Sequence, residues 1–400
     1  MLNDPIENGG QNVAPKLSEA KAVPPPAWKP GVVWDDDEGE ITTSPANAPT
    51  PHFEDILRTW GYDPEYFEIV EPVKVSTWDS QTAEGTERLW SYKAGVRKKN
   101  VPADSISYKD LVREIKKHRP LGSDIPDGDS TFVACIADTQ FGKGDGDGLA
   151  GTIERFQKCI DGVEARIKNL RKTGRQLGTL VVVGVGDIIE GCDGNYAAQQ
   201  FTVEANRREQ IRIARRLIRD AIARWSKLFK KVVVIAVPGN HGENRKDGKM
   251  YTEPGDNDDV TVFEIVAEIL AENPAAYGHV EFRLPRNETS AVMELDGVIV
   301  GFAHGHITKG GGTPQGRIKN WWESQSFGNR PVGDAQVLIT GHYHHLSVIQ
   351  YGFKTHLQCP SLDGGSEWWT NLSGEESPPG MLTLVVGKQF NGGWTDLLVI

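Results

Sequence analysis

The sequence predicts a layered α/β fold, and two observations carry that prediction. From Thr131 onward short apolar strands alternate with amphipathic helices, the pattern of sheets covered by helices. Within that region Leu180 to Gly184, LVVVG, is β-branched, lacks polar alternation and is too short to cross a membrane, so it reads as a strand buried on both faces. It runs into Gly186-Asp187, with Glu190 three residues later. Ligand crevices in open α/β sheets lie just past the carboxyl ends of strands, which makes an acid at that place a site candidate.

Taken in order, residues 1–49 are rich in Pro, Ala, Asn and acids, with Pro24-Pro25-Pro26 and the run Asp35-Asp36-Asp37-Glu38. Such a segment buries too little apolar surface to offset its ordering entropy and is expected to be a disordered tail, its acidic run either solvated or a docking motif for a protein partner. Residues 50–125 are expected to form a small α+β accessory module and linker. Thr50-Pro51 reads as an N-cap with Pro at the first helical position, followed by Phe53, Ile56, Leu57 and Trp60 on a short helix ending near Gly61. Val73 to Trp78 and Arg88 to Arg97 read as a hairpin joined by the polar residues Asp79 to Glu87. Its Trp78, Trp90 and Tyr92 lie beside Lys93, Arg97, Lys98 and Lys99. That mixture serves either as a mini-core with a solvated basic end or as a stacking surface for single-stranded nucleic acid. A helix over Tyr108 to His118 and the turn-rich Pro120 to Ser130 lead into the main domain.

That domain spans 131–400. Its expected strands are Thr131 to Ala137, Thr179 to Gly184, Lys231 to Val237, Val298 to Ala303 and Ala335 to Thr340, with closing strands in Met381 to Ile400. A long helix is expected from Glu204 to Lys230, with Ile211, Ile218, Ile222, Trp225 and Phe229 on its apolar face. Arg208, Arg212, Arg215, Arg216 and Arg219 fill much of the remainder, a solvated face or one that meets a phosphate backbone. A second helix is expected over Val260 to Ala271.

The chain of 400 residues carries a formal net charge of -11, which opposes non-specific attraction to nucleic acid but leaves room for a local basic groove or for neutralisation by bound cations. The apolar runs are strand-sized and the N-terminus lacks a signal-peptide pattern, so a cytoplasmic protein without a membrane partner is expected. Cys135, Cys159, Cys192 and Cys359 show no CxxC spacing and are expected to be reduced thiols. Monomer and homodimer both remain open.

Chemistry concentrates at the strand ends. These supply Asp138-Thr139-Gln140, Asp187 with Glu190, Asn240-His241 with Glu243, His304-Gly305-His306, and His342-Tyr343-His344. Asp, Asn and His without thiolates suit borderline to hard divalent metals. Two such ions about 3.5–4 Å apart can hold a hydroxide between them and neutralise charge as phosphorus is attacked in line. Hydrolysis of a phosphate ester is the reaction this set of residues proposes.

In order and content the segments DTQ at 138–140, GDIIE at 186–190, GNHGE at 239–243, HGH at 304–306 and GHYH at 341–344 resemble the motifs of the calcineurin-like metallophosphoesterase superfamily. The resemblance covers about residues 131–400 and implies a four-layer α-β-β-α sandwich of two mixed β-sheets flanked by helices. It implies that Asp138, Gln140, Asp187 and His344 surround a first metal ion, with Gln140 in the place of the usual histidine. Asp187 would bridge to a second ion held by Asn240, His342 and His304, with His306 as the alternative ligand or a contact to the substrate phosphate. His241 would be the catalytic histidine that is not a ligand, oriented by Glu190 or Glu243. An amide oxygen prefers harder ions, so Mn²⁺ is expected, with Mg²⁺, Fe²⁺ or Zn²⁺ as alternatives.

Further residues border the site. Phe141 to Gly148 would let Lys143 and backbone approach a phosphate, or forms a surface turn. Lys309 to Gly316, followed by Arg317, Lys319, Trp321 and Trp322, is either a base-stacking flap or a loop capped by a helix with core tryptophans. Three readings follow. One is DNA cleaved exo- or endonucleolytically, as in the similar SbcD-type and Mre-type nucleases. An extra N-terminal module before such a domain is also similar to phosphoesterases of tailed bacteriophages, which would place the protein in host cytoplasm. The second is a small nucleotide or phosphoprotein, since manganese-dependent ADP-ribose diphosphatases look similar in carrying D-x-Q. The third reading, a binding scaffold without activity, conflicts with the nearly complete ligand set.

Overall fold

The computed structural model describes residues 30–35, 38–49, 52–59, 64, 67–82, 85–98, 107–196, 199–246, 248–308, 311–365 and 377–400. Pro24-Pro25-Pro26, Asp36-Asp37, the Thr50-Pro51 cap, Trp60-Gly61, Lys99 and Lys309-Gly310 lie outside the described residues. The chain divides into two compact units, residues 1–102 and 103–400.

The first unit contains β1 (Gly31–Asp35), β2 (Glu38–Thr42), α1 (Glu54–Thr59), β3 (Phe67–Thr82) and β4 (Gly85–Lys98). The strands form an antiparallel sheet in the order β1-β2-β4-β3. Two of them lie inside the segment expected to be a tail. Composition averaged over 49 residues hides the short apolar stretch at its end, where Ile41 is fully buried and β2 pairs with β4. The hairpin is also longer than expected, because the polar residues after Trp78 continue the ladder as far as Thr82. Tyr92 is buried with Ile41, Ile56, Leu57 and Val96, and Trp90 packs on this cluster. Lys93 and Arg97 form ion pairs with Glu40 and Glu68 of the same sheet. Tyr92 and Trp90 therefore belong to a mini-core.

The second unit opens with α2 (Tyr108–Lys116), capped by Ser107, whose Leu111 and Ile115 are buried in this unit's core. It continues through β5 (Ser130–Ile136), α3 (Gly148–Lys172), β6 (Leu177–Gly184), α4 (Gln199–Thr202), α5 (Arg207–Trp225), β7 (Lys231–Ala236), β8 (Arg245–Lys246), β9 (Lys249–Met250), α6 (Asp258–Ala271), α7 (Pro274–Tyr277) and β10 (Val280–Arg283). Then follow β11 (Ser290–Leu295), β12 (Val298–Ala303), α8 (Pro314–Phe327), β13 (Val337–Thr340), β14 (Ser347–Tyr351), β15 (Lys354–Gln358), β16 (Leu382–Val386) and β17 (Trp394–Val399). Two mixed sheets result. One has the order β10-β7-β6-β5-β16-β17, the other β11-β12-β13-β15-β14. In each, the strands that lead to the candidate site run parallel to one another.

Side-chain alternation divides the core. On β6, Leu180 and Val182 join Phe156, Ile218, Trp225 and Phe263 of α3, α5 and α6. Val181 and Val183 join Val300, Phe302, Val337, Ile339 and Leu357 of the other sheet. On the second sheet Leu338 meets Ile318 and Trp322 of α8. Trp225, which donates its indole N–H to Ile160, and Trp322, which donates to Val332, are both core residues. Cys135, Cys159 and Cys359 are buried and all four cysteines are free. No helix among the described residues is long and apolar enough to cross a membrane.

One buried group ties this core to pH. His356 on β15 is fully buried with Nε2 2.8 Å from Thr340 Oγ1, and burial holds its pKa down to about 4, helped by repulsion from His345. A depressed histidine stabilises above its unfolded value of about 6.5, and that contribution is lost as pH falls toward 4, at up to about 1.4 kcal/mol per unit. Urea unfolding at pH 7 and pH 5 should therefore show a smaller fall in midpoint for His356→Gln than for the parent chain.

Candidate metal centre

The site sits where the carboxyl ends of both sheets meet. Leaving β5, Asp138 donates its N–H to Gly186, and Gln140 donates to the carbonyl of Asp187, so the loops after β5 and β6 are joined by main-chain bonds. Leaving β12 and β13, Gly341 donates to the carbonyl of His304, which ties the two histidine segments. Across the sheets, His342 N donates to both carboxylate oxygens of Asp138 at 3.1 Å, and within the first sheet's loops His241 N donates to Asp187 Oδ1 at 2.8 Å. The carboxylates thus stitch their own motifs to those of neighbouring loops.

Backbone conformation reports how tightly these residues are held. Asp138, Gln140, Asp187, His342 and His344 all have positive φ, between 40° and 74°. A side chain in the left-handed region is disfavoured and persists only where the surroundings impose it. Two glycines make the crowding explicit. A Cβ on Gly239 would lie 2.2 Å from Asp187 Oδ1, and one on Gly341 would lie 2.6 Å from Asp138 Oδ2. The glycines of GNH and GHYH are required because a carboxylate passes directly over each.

Asp187 lies at the centre. Its side chain is buried, with Oδ2 2.9 Å from His304 Nε2, and Asp187, His304 and His342 present atoms within 4.8 Å of one another. The His304 Nδ1–H donates to the Val185 carbonyl at 2.8 Å, which turns the Nε2 lone pair of the neutral ring toward the carboxylate. Two lone pairs so placed repel unless a cation or a proton lies between them. Burial opposes charge on His304, but Asp187 outweighs it and lifts the pKa to about 9. Burial and the neighbouring histidines pull His342 far down. On the other side, His344 Nε2 lies 3.3 Å from Asp138 Oδ1, and its Nδ1 faces Asp363 at 3.6 Å.

The donor set fits divalent metal. Gln140 Oε1 and Asn240 Oδ1 are buried and lack a hydrogen-bond partner, although each belongs to the expected ligand set. Buried polar atoms are normally satisfied, and the unpaired amide oxygens of Gln140 and Asn240, in the loops that carry the Asp187–His304–His342 cluster, are donors that a divalent cation would take up.

His241 lies beside these groups. Its Nδ1–H donates to the Glu190 carbonyl at 2.7 Å and lies 3.2 Å from Glu190 Oε2, while Nε2 is 3.2 Å from Gln140 Nε2. Burial disfavours its charge, yet Asp187 and Glu190 hold the pKa at about 10. Glu190 is itself fixed by the Tyr196 hydroxyl at 2.7 Å and by Gln199. Glu243 pairs elsewhere, with His306 at 3.1 Å and Arg245 at 2.7 Å. Of the two acids that could orient His241, Glu190 is the one in contact with it.

The remaining candidates stand at the border. Lys143 is ion-paired with buried Asp363. Arg317 lies over the ring of Tyr343, with its guanidinium carbon 5.4 Å from the centroid. Trp321 packs on the cluster around Trp322. His345 faces Gln315 at 3.0 Å, away from the carboxylates.

The least visible group in the sequence is Asp259. It is fully buried on α6 and accepts N–H bonds from Asp187 at 2.8 Å, Ile188 at 2.9 Å, Ile189 at 3.2 Å and Gly239 at 3.0 Å. Burial and repulsion from Asp187 raise its pKa to about 7, and the amides oppose that rise. Local sequence shows only Asp258-Asp259 in the first turn of a helix, an ordinary helix start. Asp363 is likewise buried and unmarked by its neighbours in sequence.

Asp259→Asn should keep the fold but leave amides imperfectly paired, lowering stability by about 1–3 kcal/mol and Mn²⁺ affinity by roughly 10–100-fold in calorimetric titration. Gln140→His should shift metal preference toward Zn²⁺ relative to the parent chain, as read by competition between Mn²⁺ and Zn²⁺.

No family model matches the chain, and no curated protein matches it. Among solved structures it is similar to Vacuolar Protein Sorting 29 from Cryptosporidium parvum, with 13% identity, 68% of this chain and 99% of that chain covered, and a TM-score of 0.30. It is similar to a novel archaeal phosphodiesterase at 12% identity, covering 67% of this chain and 99% of that one with a TM-score of 0.32. A predicted phosphoesterase from Streptococcus pneumoniae matches at 12% identity, covering 68% and 90% with a TM-score of 0.27. At these TM-scores the likenesses carry no functional argument, which rests on the site itself.

Proposed function

We propose that the chain is a two-metal phosphodiesterase of the calcineurin-like type, acting on DNA. The observation that carries this reading is the meeting of Asp187, His304 and His342 within 4.8 Å, with His344 beside Asp138 and with Gln140 Oε1 and Asn240 Oδ1 buried and unpaired in the adjoining motifs. The four-layer sandwich that goes with it is supported by the division of apolar residues between inter-sheet and helix-facing clusters. Asp138, Gln140, Asp187 and His344 would hold one ion, and Asp187, Asn240, His304 and His342 the other. When bound, such ions supply charge neutralisation at the phosphoryl oxygens and water activation at neutral pH. Mn²⁺ is the preferred ion because Gln140 offers a neutral oxygen.

The chain's own part in the reaction follows from His241. With Nδ1–H committed to Glu190, its Nε2 is the nitrogen turned toward Asp187 and Gln140. There the ring is placed to stabilise negative charge on a phosphoryl oxygen or to protonate the leaving oxygen. Glu190 acts as a positioning residue, braced by Tyr196 and Gln199. His306, held by Glu243, stands beside His304 with ring centroids 5.3 Å apart and is placed to meet a substrate oxygen. A small-nucleotide diphosphatase is the second reading, and Gln140 is the residue that favours it.

Turnover with Mn²⁺ of bis-p-nitrophenyl phosphate, p-nitrophenyl phosphate, ADP-ribose and labelled DNA separates these readings. Hydrolysis of the diester and of DNA is expected, with His241→Ala lowering kcat by about 10²–10⁴-fold while metal stoichiometry is kept. Turnover of the monoester or ADP-ribose alone would remove DNA as the substrate.

A further inference from the structure

Asp363 is a buried acid that the proposed reaction leaves without a part. It follows β15 by five residues, and its side chain has no exposed surface. A carboxylate so placed persists only where cations and hydrogen-bond donors satisfy it. Lys143 supplies the cation at Oδ2, the Gly365 N–H donates to Oδ1 at 3.2 Å, and the Ser361 hydroxyl also donates. The neighbour that ties this group to the metal centre is His344, whose Nδ1 lies 3.6 Å from Oδ2.

Asp363 and His344 are registered on the same residue. The main-chain N–H groups of Leu362 and Asp363 donate to the Asp138 carbonyl at 3.1 Å and 3.2 Å, while the Asp138 carboxylate lies 3.3 Å from His344 Nε2. The imidazole therefore stands between two carboxylates, Asp138 on its Nε2 side and Asp363 on its Nδ1 side. In a neutral ring the proton belongs on the nitrogen that faces the acid not shared with a cation site, which leaves the Nε2 lone pair on the Asp138 side. His304 is oriented differently, because its Nδ1 faces the Val185 carbonyl. A charged acceptor makes a ring a stronger ligand than a carbonyl does, and the first ion's side has need of one, since Gln140 offers only an amide oxygen. Lys143, whose N–H donates to the Gln140 carbonyl at 3.0 Å, spends its ammonium group on Asp363.

We propose that Asp363 is a positioning residue for the first ion. Facing His344 Nδ1, it turns Nε2 toward Asp138 and strengthens it as a ligand, offsetting the weaker Gln140, with Lys143 as its counter-ion rather than a contact to substrate. The proposal rests on the two-metal reading of the site.

Mn²⁺ binding to the full chain is followed by the electron paramagnetic resonance signal of the free ion. Asp363→Asn should weaken one of the two ions by roughly 10–100-fold and leave the other within about twofold. Lys143→Gln, which keeps a donor to Asp363 and removes the charge, should bind both ions as tightly as the parent chain or more tightly. His344→Ala should weaken the same ion as Asp363→Asn, and combining the two should cost little more, because a residue that acts through His344 then has nothing further to remove. A latch that merely joins the loops would give equal losses in Lys143→Gln and Asp363→Asn, and a loss that adds to that of His344→Ala. Either result would overturn the proposal. Should Asp363→Asn fail to fold, Lys143→Met/Asp363→Leu, which removes the buried pair together, takes its place in the comparison with His344→Ala. Parental affinity for both ions in Asp363→Asn would overturn this proposal alone, whereas fewer than two Mn²⁺ ions on the parent chain would overturn the two-metal reading with it.

Discussion

The candidate centre depends on one buried carboxylate that is not among its ligands. Asp259 collects amide hydrogens from Asp187, Ile188, Ile189 and Gly239, and so holds the loop after β6 against the loop after β7. A carboxylate with no exposed surface is tolerated only when its lone pairs are filled, and here the backbone of the two motifs fills them. The exchange is reciprocal. The loops satisfy the acid, and the acid fixes where the Asp187 side chain can point.

That constraint explains why the site is built from strained backbone. With the Asp187 loop anchored from below, its carboxylate passes over Gly239 and reaches His304 on the opposite sheet. Asp138 does the same over Gly341, accepting the His342 amide. Each carboxylate therefore joins sheets that otherwise meet through apolar side chains such as Val183 and Phe302. The left-handed φ values of Asp138, Gln140, Asp187, His342 and His344 follow from forcing short loops to turn their side chains into one small volume. Packing between the sheets supplies the rigidity, and the glycines supply the room.

Much of this was legible in the sequence because strand ends and glycines leave local marks. The expected strands around Val133, Val182, Val234, Val300 and Ile339 all exist, and every motif residue lies at or just past one of them. What local pattern cannot carry was missed. Helix α3 begins inside the glycine-rich stretch after Phe141, where punctuation hides the periodicity that starts at Thr152 and Phe156. Helix α5 begins at Arg207 through a capping box of Asn206 and Glu209, later than the run of polar residues suggests, and stops at Trp225 because Ser226 to Leu228 tightens into a 3₁₀ turn. Trp321 and Trp322 read equally as flap or core, and Trp322 is buried with its N–H satisfied. Asp259 and Asp363 act through contacts distant in sequence, and nothing beside either residue announces its burial.

The charge balance of the centre bears on the apparent conflict between an acidic chain and the proposed anionic substrate. Of the buried acids near the site, Asp363 is countered by Lys143, Glu190 faces His241, and Glu243 meets Arg245 and His306. Asp138, Asp187 and Asp259, whose lone pairs are filled by amides rather than by a cation, remain, and two divalent ions would bring four positive charges against at most three negative ones. The excess is concentrated in a buried, low-dielectric volume, whereas the acids behind the formal charge of -11 include many at the solvent-screened surface. A phosphodiester drawn into the site would meet that local excess, so overall acidity does not decide against it. In the proposed two-metal reading Gln140 would act in the same direction, since an amide oxygen donates less strongly than an imidazole and would leave its ion more electrophilic toward phosphate oxygen.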